Sequence, residues 1–172
     1  MQETPAEYRQ RMLKNLEGQD AIKLQAGAPA RLAKLLRGAT RERLGRRPAP
    51  GKWSVNEIVA HLSETEIVVG YRMRAIVGAP GTPIQAFDQD AWAAAGNYAG
   101  RDAKKSLALY RAVREANLEW LRRLRPEQWK HFGIHAERGE ESIEMIVNMM
   151  AGHDLNHLRQ AEALVAPRRS RK

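Results

Sequence analysis

Residues 54–78 read SVNEIVAHLSETEIVVGYRMRAIVG, and this stretch decides the fold. Ser54 followed three residues later by Glu57 is the capping-box pattern that opens a helix. The GAPGTP run at 78–83 closes it. Between these marks Val55, Ile58, Val59, Leu62, Val69, Met73 and Ile76 recur at helical spacing and share one face. An apolar face of that length needs other helices to cover it.

The same period runs through most of the chain, with no convincing two-residue alternation. It predicts a short helix over 5–17 ended by Gly18, and a second over 29–38 with Pro29 in its first turn. A third runs from Asp102 to Arg125, with Leu109, Tyr110, Val113, Ala116, Trp120 and Leu124 on one side, and Pro126 ends it. A last helix runs from Glu140 to Val165. The stretches GRRPAPGKWS, 45–54, and HFGIHAERG, 131–139, read as loops. Residues 84–101 form a connection with room for one short helical turn, long for a compact bundle. The expectation is an all-α four-helix bundle with a long crossover loop.

At 172 residues the chain has the size of one domain, placed at 1–165, with a basic tail at 166–172 expected to be disordered. Hydrophobic residues make up 43% and charged residues 28%, ordinary usage for a globular protein. No run approaches the roughly 18 apolar residues of a spanning helix. MQETPAEYRQRM is acidic where a secretion signal is basic and then apolar, which points to the cytoplasm. The absence of cysteine excludes disulfides, thiolate ligands and a cysteine nucleophile. The net charge of +9 collects in APRRSRK and in RERLGRR at 41–47, without an aromatic-basic stripe or a reader motif, so nucleic acid is not the expected partner.

On the last helix Ile143, Ile146, Val147, Met150, Ala161 and Leu164 share an arc with His153, Asp154 and His157. Burying a polar group without a partner costs about 1–3 kcal/mol, so three together need compensation. Two histidines four apart on a helix can share an ion. His61 lies at the margin of the 54–78 apolar face, either turned inward or half exposed. Glu66 falls near the middle of that face, where it either pairs with Arg114 or Arg159 or supports a metal-bound histidine from behind. Asn117 is either pocket lining or a core asparagine bonded to backbone. Trp53 reads as a staple beside the Ser54 cap, His131 and His135 as loop histidines, and Asp88 and Asp90 as turn caps.

The elements PAPGKWSVNEIVAHLSETE, AFDQDAW, LYRAVREANLEWL and FGIHAERGEESIEMIVNMMAGHDLNHLRQ, over about residues 20 to 162, together resemble the DinB/YfiT-like superfamily in its DinB-like branch. The resemblance implies a bundle with up-down-down-up connectivity, commonly a homodimer, holding a divalent ion on three histidines. Carried over, those ligands are His61, His153 and His157. Three imidazoles leave a coordination position open, as in catalytic sites, and suit zinc or nickel. Such a centre lowers the pKa of a bound water to about 7 or stabilises a thiolate.

The leading expectation is therefore a metal-dependent enzyme, a thiol S-transferase or a hydrolase, acting on a small molecule, with a low-molecular-weight thiol as a candidate partner. Glu66, Asn117 and Asp154 are the residues expected to orient ligands or substrate. The alternatives are a non-catalytic metal- or small-molecule-binding bundle and a basic helical protein that binds nucleic acid or a partner.

Overall fold

The computed structural model describes residues 3–166, so the expected tail lies, from residue 167 on, outside the described residues. Every long helix begins on a side-chain cap. Thr4 and Glu7 form a capping box for α1 (Pro5–Leu16), and Asp20 caps α2 (Ala21–Arg37). A short α3 (Arg41–Gly45) leads to α4 (Val55–Gly78), whose Ser54–Glu57 capping box forms as read. After α5 (Gln89–Ala95), Asp102 caps α6 (Ala103–Leu121) and Ser142 caps α7 (Ile143–Val165). Each such cap stabilises its helix by about 1 kcal/mol.

Three boundaries differ from the sequence reading. The second helix begins two turns before Pro29, at Ala21, so the proline lies inside it. The freed turn is braced from outside, because the buried Gln25 side chain donates to the Val147 carbonyl at 2.8 Å. The third helix ends at Leu121 rather than Arg125, and the last begins at Ile143 rather than Glu140.

The all-α expectation needs correction. The chain is mostly helical but carries a small sheet of β1 (Pro83–Ile84), β2 (Phe132–His135) and β3 (Gly139–Ser142), in that order. The pair β1–β2 is parallel and β2–β3 antiparallel, with Phe132 opposite Ser142 and His135 opposite Gly139. Strands of two to four residues are too short to show a two-residue period by themselves. They are held by tertiary context: Ile84 is buried in the bundle core, and Gly139 takes φ +74, which suits the hairpin turn.

The helices α2 and α4 each pack against both α6 and α7, and α1 lies along α7. Their buried faces form two apolar halves. One gathers Val69, Met73, Ile76, Leu121, Ile143 and Ile146; the other gathers Leu32, Leu36, Ile58, Leu62, Tyr110 and Leu158. A layer of buried polar side chains from α4, α6 and α7 lies between them. Gly152 lets α1 close on α7 beside that layer, since a Cβ there would stand 1.8 Å from the Met12 carbonyl oxygen. Among the described residues no helix is long and apolar enough to cross a membrane.

Candidate metal centre

His61 sits two turns into α4, while His153 and His157 are one turn apart on α7. All three are buried. Their Nε2 atoms converge: His61 to His153 is 3.0 Å and His157 to His153 is 3.1 Å. Trp53, expected to act as a staple, packs on the core and also places its ring 4.8 Å from His61 and nearly parallel to His157.

Burial, then the nearby His157, holds His61 well below the ordinary histidine pKa. Burial and the other two imidazoles do the same to His153. Burial lowers His157 to about 4, against the opposing hydrogen bond to Gln160 and the charge of Asp154. All three rings are thus neutral at pH 7. Each Nε2 then carries either one proton or one lone pair, and can make one linear hydrogen bond. The Nε2 of His153 faces two nitrogens and can pair with one of them at a time, while the Thr65 hydroxyl, 3.5 Å from His61 Nε2, is the other group within reach of His61.

A cation fits the same geometry. Zinc–nitrogen bonds of about 2.0–2.1 Å place nitrogen pairs about 3.3 Å apart at tetrahedral angles and about 2.9 Å apart at right angles. The two contacts of His153, 3.0 and 3.1 Å, fall between these, and the three ligand atoms all lie within 4.8 Å of one another. The donor set also has the required tautomer at one position: His157 Nδ1 lies 2.8 Å from Gln160 Oε1, so Nδ1–H donates and Nε2 keeps its lone pair. His153 Nδ1 is buried without a partner, a cost that bound metal would have to offset.

The other sequence candidates gather elsewhere. Glu66 pairs with Arg114 at 2.7 Å, the first of its two proposed partners, while Arg159 donates to Asn15. Asp154 accepts from Arg114 at 2.6 and 3.2 Å and from the Tyr110 hydroxyl at 2.9 Å. Asn117 donates to Glu66 at 2.8 Å and accepts from Arg74 at 2.7 Å. Burial alone would lower the Arg114 pKa, but Asp154, Tyr110 and Glu66 overcome it and raise it well above the ordinary value. Glu66, Asn117 and Asp154 do not line the cavities beside the histidines. They brace the helices that carry them.

An open cavity of about 620 Å³ reaches His153 and His157, walled by Trp53, Ile58 and Leu164, with Arg11 and Lys52 among its lining. A smaller one of about 150 Å³ reaches His61 and His153 from the sheet side, past Thr65, Arg72 and His135. His135, read as a loop histidine, is thus a buried strand residue that stays outside the three-nitrogen cluster. His131 precedes the same strand, and Asp88 caps α5 as expected. Tyr8 and Arg11 of α1 line the larger cavity, and the sequence held no signal for either, because only the docking of α1 brings them there.

A helical bundle whose core holds three converging imidazoles defines a class of histidine-centred bundle. The chain matches the model of the DinB superfamily over residues 26–161 and belongs to that superfamily. Two proteins of Oceanobacillus iheyensis are similar to it. "Putative metal-dependent hydrolase OB0413" is 23% identical over 128 residues, 74% of this chain and 73% of that protein. "Putative metal-dependent hydrolase OB0782" is 25% identical over 114 residues, 66% of each. Among solved structures the chain resembles YfiT from Bacillus subtilis, described as a probable metal-dependent hydrolase with an unusual four-helix bundle topology. The TM-score is 0.75 at 22% identity, over 83% of this chain and 84% of that one.

Proposed function

We propose that the chain is a metal-dependent enzyme in which His61, His153 and His157 hold one divalent ion, zinc or nickel, beside an open substrate cavity. The observation that carries this reading is the convergence of three buried imidazoles from two helices, with the Nε2 of His153 facing those of both His61 and His157. When bound, such an ion supplies Lewis acidity and favours the deprotonated form of a ligand in the position that three imidazoles leave open. The chain's own residues do the rest. Gln160 fixes the His157 tautomer, Trp53 and Ile58 form an apolar wall, and Arg114 with its carboxylates keeps α4, α6 and α7 in register.

Hydrolysis is the reaction type that the names of the relatives favour. Thiol S-transfer is the second form of the same chemistry, with an external thiol replacing water, since the chain has no cysteine of its own. A small-molecule substrate suits the cavity of about 620 Å³ in either case. The pairing of Glu66 with Arg114 and of Arg74 with Asn117 supports a parallel course for α4 and α6, and so an up-down-down-up order joined by the long 79–102 connection. A homodimer is part of this reading, with Ile67 and Tyr71, exposed one turn apart on α4, as a candidate face. Sedimentation at twice 19.4 kDa would support it, and sedimentation at the monomer mass would refute it.

The test is metal content by elemental mass spectrometry on untagged protein and on His61→Ala. About one zinc or nickel per chain is expected, lost in the variant. Protein that stays metal-free after incubation with both ions would refute the proposal.

A further inference from the structure

The cavity of about 150 Å³ on the sheet side differs in chemistry from the larger one. Two guanidinium groups line it. Arg138 is already engaged, its Nε at 2.5 Å and Nη2 at 3.1 Å from the carboxylate of Glu141, which is itself buried. Arg72 makes no ion pair among the described residues. Its Nη2 donates to the Gln85 carbonyl and its guanidinium lies 5.4 Å from the Phe87 ring, so the crossover connection holds it in place.

Neutral donors surround this cation. The Glu137 backbone N–H donates to His135 Nδ1 at 3.2 Å, which leaves the proton of the neutral ring on Nε2. His135 lines the cavity, and its Nε2 makes no hydrogen bond among the described residues. The hydroxyls of Tyr8 and Thr65 belong to the same lining. The remaining carboxylate, Glu137, is exposed at the rim. The wall therefore offers one cation without a direct ion pair among the described residues and several donors, and its buried carboxylate, Glu141, is paired with Arg138. Burial, then the neighbouring Arg138, lowers the Arg72 pKa, against the opposing charge of Glu141.

We propose that this inner cavity is a carboxylate subsite, with Arg72 as its cation and the His135 Nε2–H as a second donor. A single charge on a planar fork matches a monoanionic carboxylate better than a phosphate dianion. The volume corresponds to about five waters at about 30 Å³ each, enough for an acid of two or three carbons. Both cavities touch His153, so the acid end of a substrate sits in the inner one and its bulkier remainder in the outer one, with the bond between them over the three Nε2 atoms. That the acid belongs to a substrate rests on the metal reading; the subsite itself does not.

The test is a titration of propionate, propionamide and methylphosphonate into metal-free and zinc-treated protein at about 0.15 M salt, where loose surface binding is screened. Amide NMR shifts are followed in wild type, Arg72→Gln and Arg72→Lys. Propionate is expected to bind both forms, with shifts centred on Thr65, Arg72 and His135, at least tenfold more tightly than the other two probes. Arg72→Gln should weaken it at least tenfold and Arg72→Lys by less, with thermal midpoint and zinc content unchanged. Tighter binding of methylphosphonate, no binding of propionate, or binding that needs zinc and survives Arg72→Gln would each overturn the subsite. Protein that takes up no zinc yet binds propionate through Arg72 would refute the metal reading and leave the subsite standing.

Discussion

Two polar clusters share the middle of this bundle, and they are built on opposite plans. Around Arg114, the two carboxylates, the Tyr110 hydroxyl and Asn117 meet one another at hydrogen-bonding distance, leaving Arg114 Nε as the unpaired atom. Around His153, three neutral rings point their nitrogens at one another, and the Nε2 of His153 can pair with only one of the two it faces. Both clusters are buried and share α4 and α7, so burial alone does not tell structure from function. The kind of partner tells them apart: opposite charges close the first cluster on itself, and like ring nitrogens crowd together in the second.

The largest effect should come from opening the closed cluster. Arg114→Ala leaves Asp154 and Glu66 buried without a cation, and is expected to cost about 3–5 kcal/mol in urea unfolding. A loss below about 1 kcal/mol would mean that the cluster does not hold the helices.

Acid should act on the other cluster. His157 is lowered from 6.5 to about 4 by burial, and both other histidines are lowered too. Between those values the unfolded chain binds more protons than the folded one, so stability of the metal-free protein rises with pH across that window. It should fall by about 3 kcal/mol from His157 alone as the pH drops from 6.5 to 4. Denaturation midpoints at several pH values measure this, and an equally steep slope in His157→Leu would break the assignment.

Smaller effects sharpen the comparison. Gln160→Ala removes the acceptor on His157 Nδ1 and is expected to weaken metal binding by about 10–100-fold, read by competition with a chelator, with little change in metal-free stability. His153→Leu should abolish metal uptake while shifting metal-free stability by no more than about 1 kcal/mol, because an apolar group of similar size replaces an unsatisfied one. A loss as large as that of Arg114→Ala would show that the histidines are structural as well.

Much of this was legible along the chain, and the reason is local. Ser54 and Glu57 cap α4 through contacts three residues apart, and His153 and His157 share a face because of helical pitch. Pro29 misled the reading, because a helix start is only one of the places a proline can stand and the Asp20 cap lies two turns earlier. The strands were missed because each is only two to four residues long, and β1 is held by a partner far away in sequence, with Ile84 set opposite His135. Glu66, Asn117 and Asp154 were legible as buried polar residues, but their role was not, since it depends on Arg114 reaching both carboxylates at once.

The sequence by itself determined the long helices in outline, which faces are apolar, and which polar residues those faces must bury, because all three follow from spacing over one or two turns. Only the tertiary structure decided which of those residues meet. It joined Arg114 to two carboxylates from two helices, brought His61 within 3.0 Å of His153, and laid Tyr8 and Arg72 along the cavities. Contacts between side chains 40 to 92 residues apart depend on how the helices dock, and no local pattern encodes that.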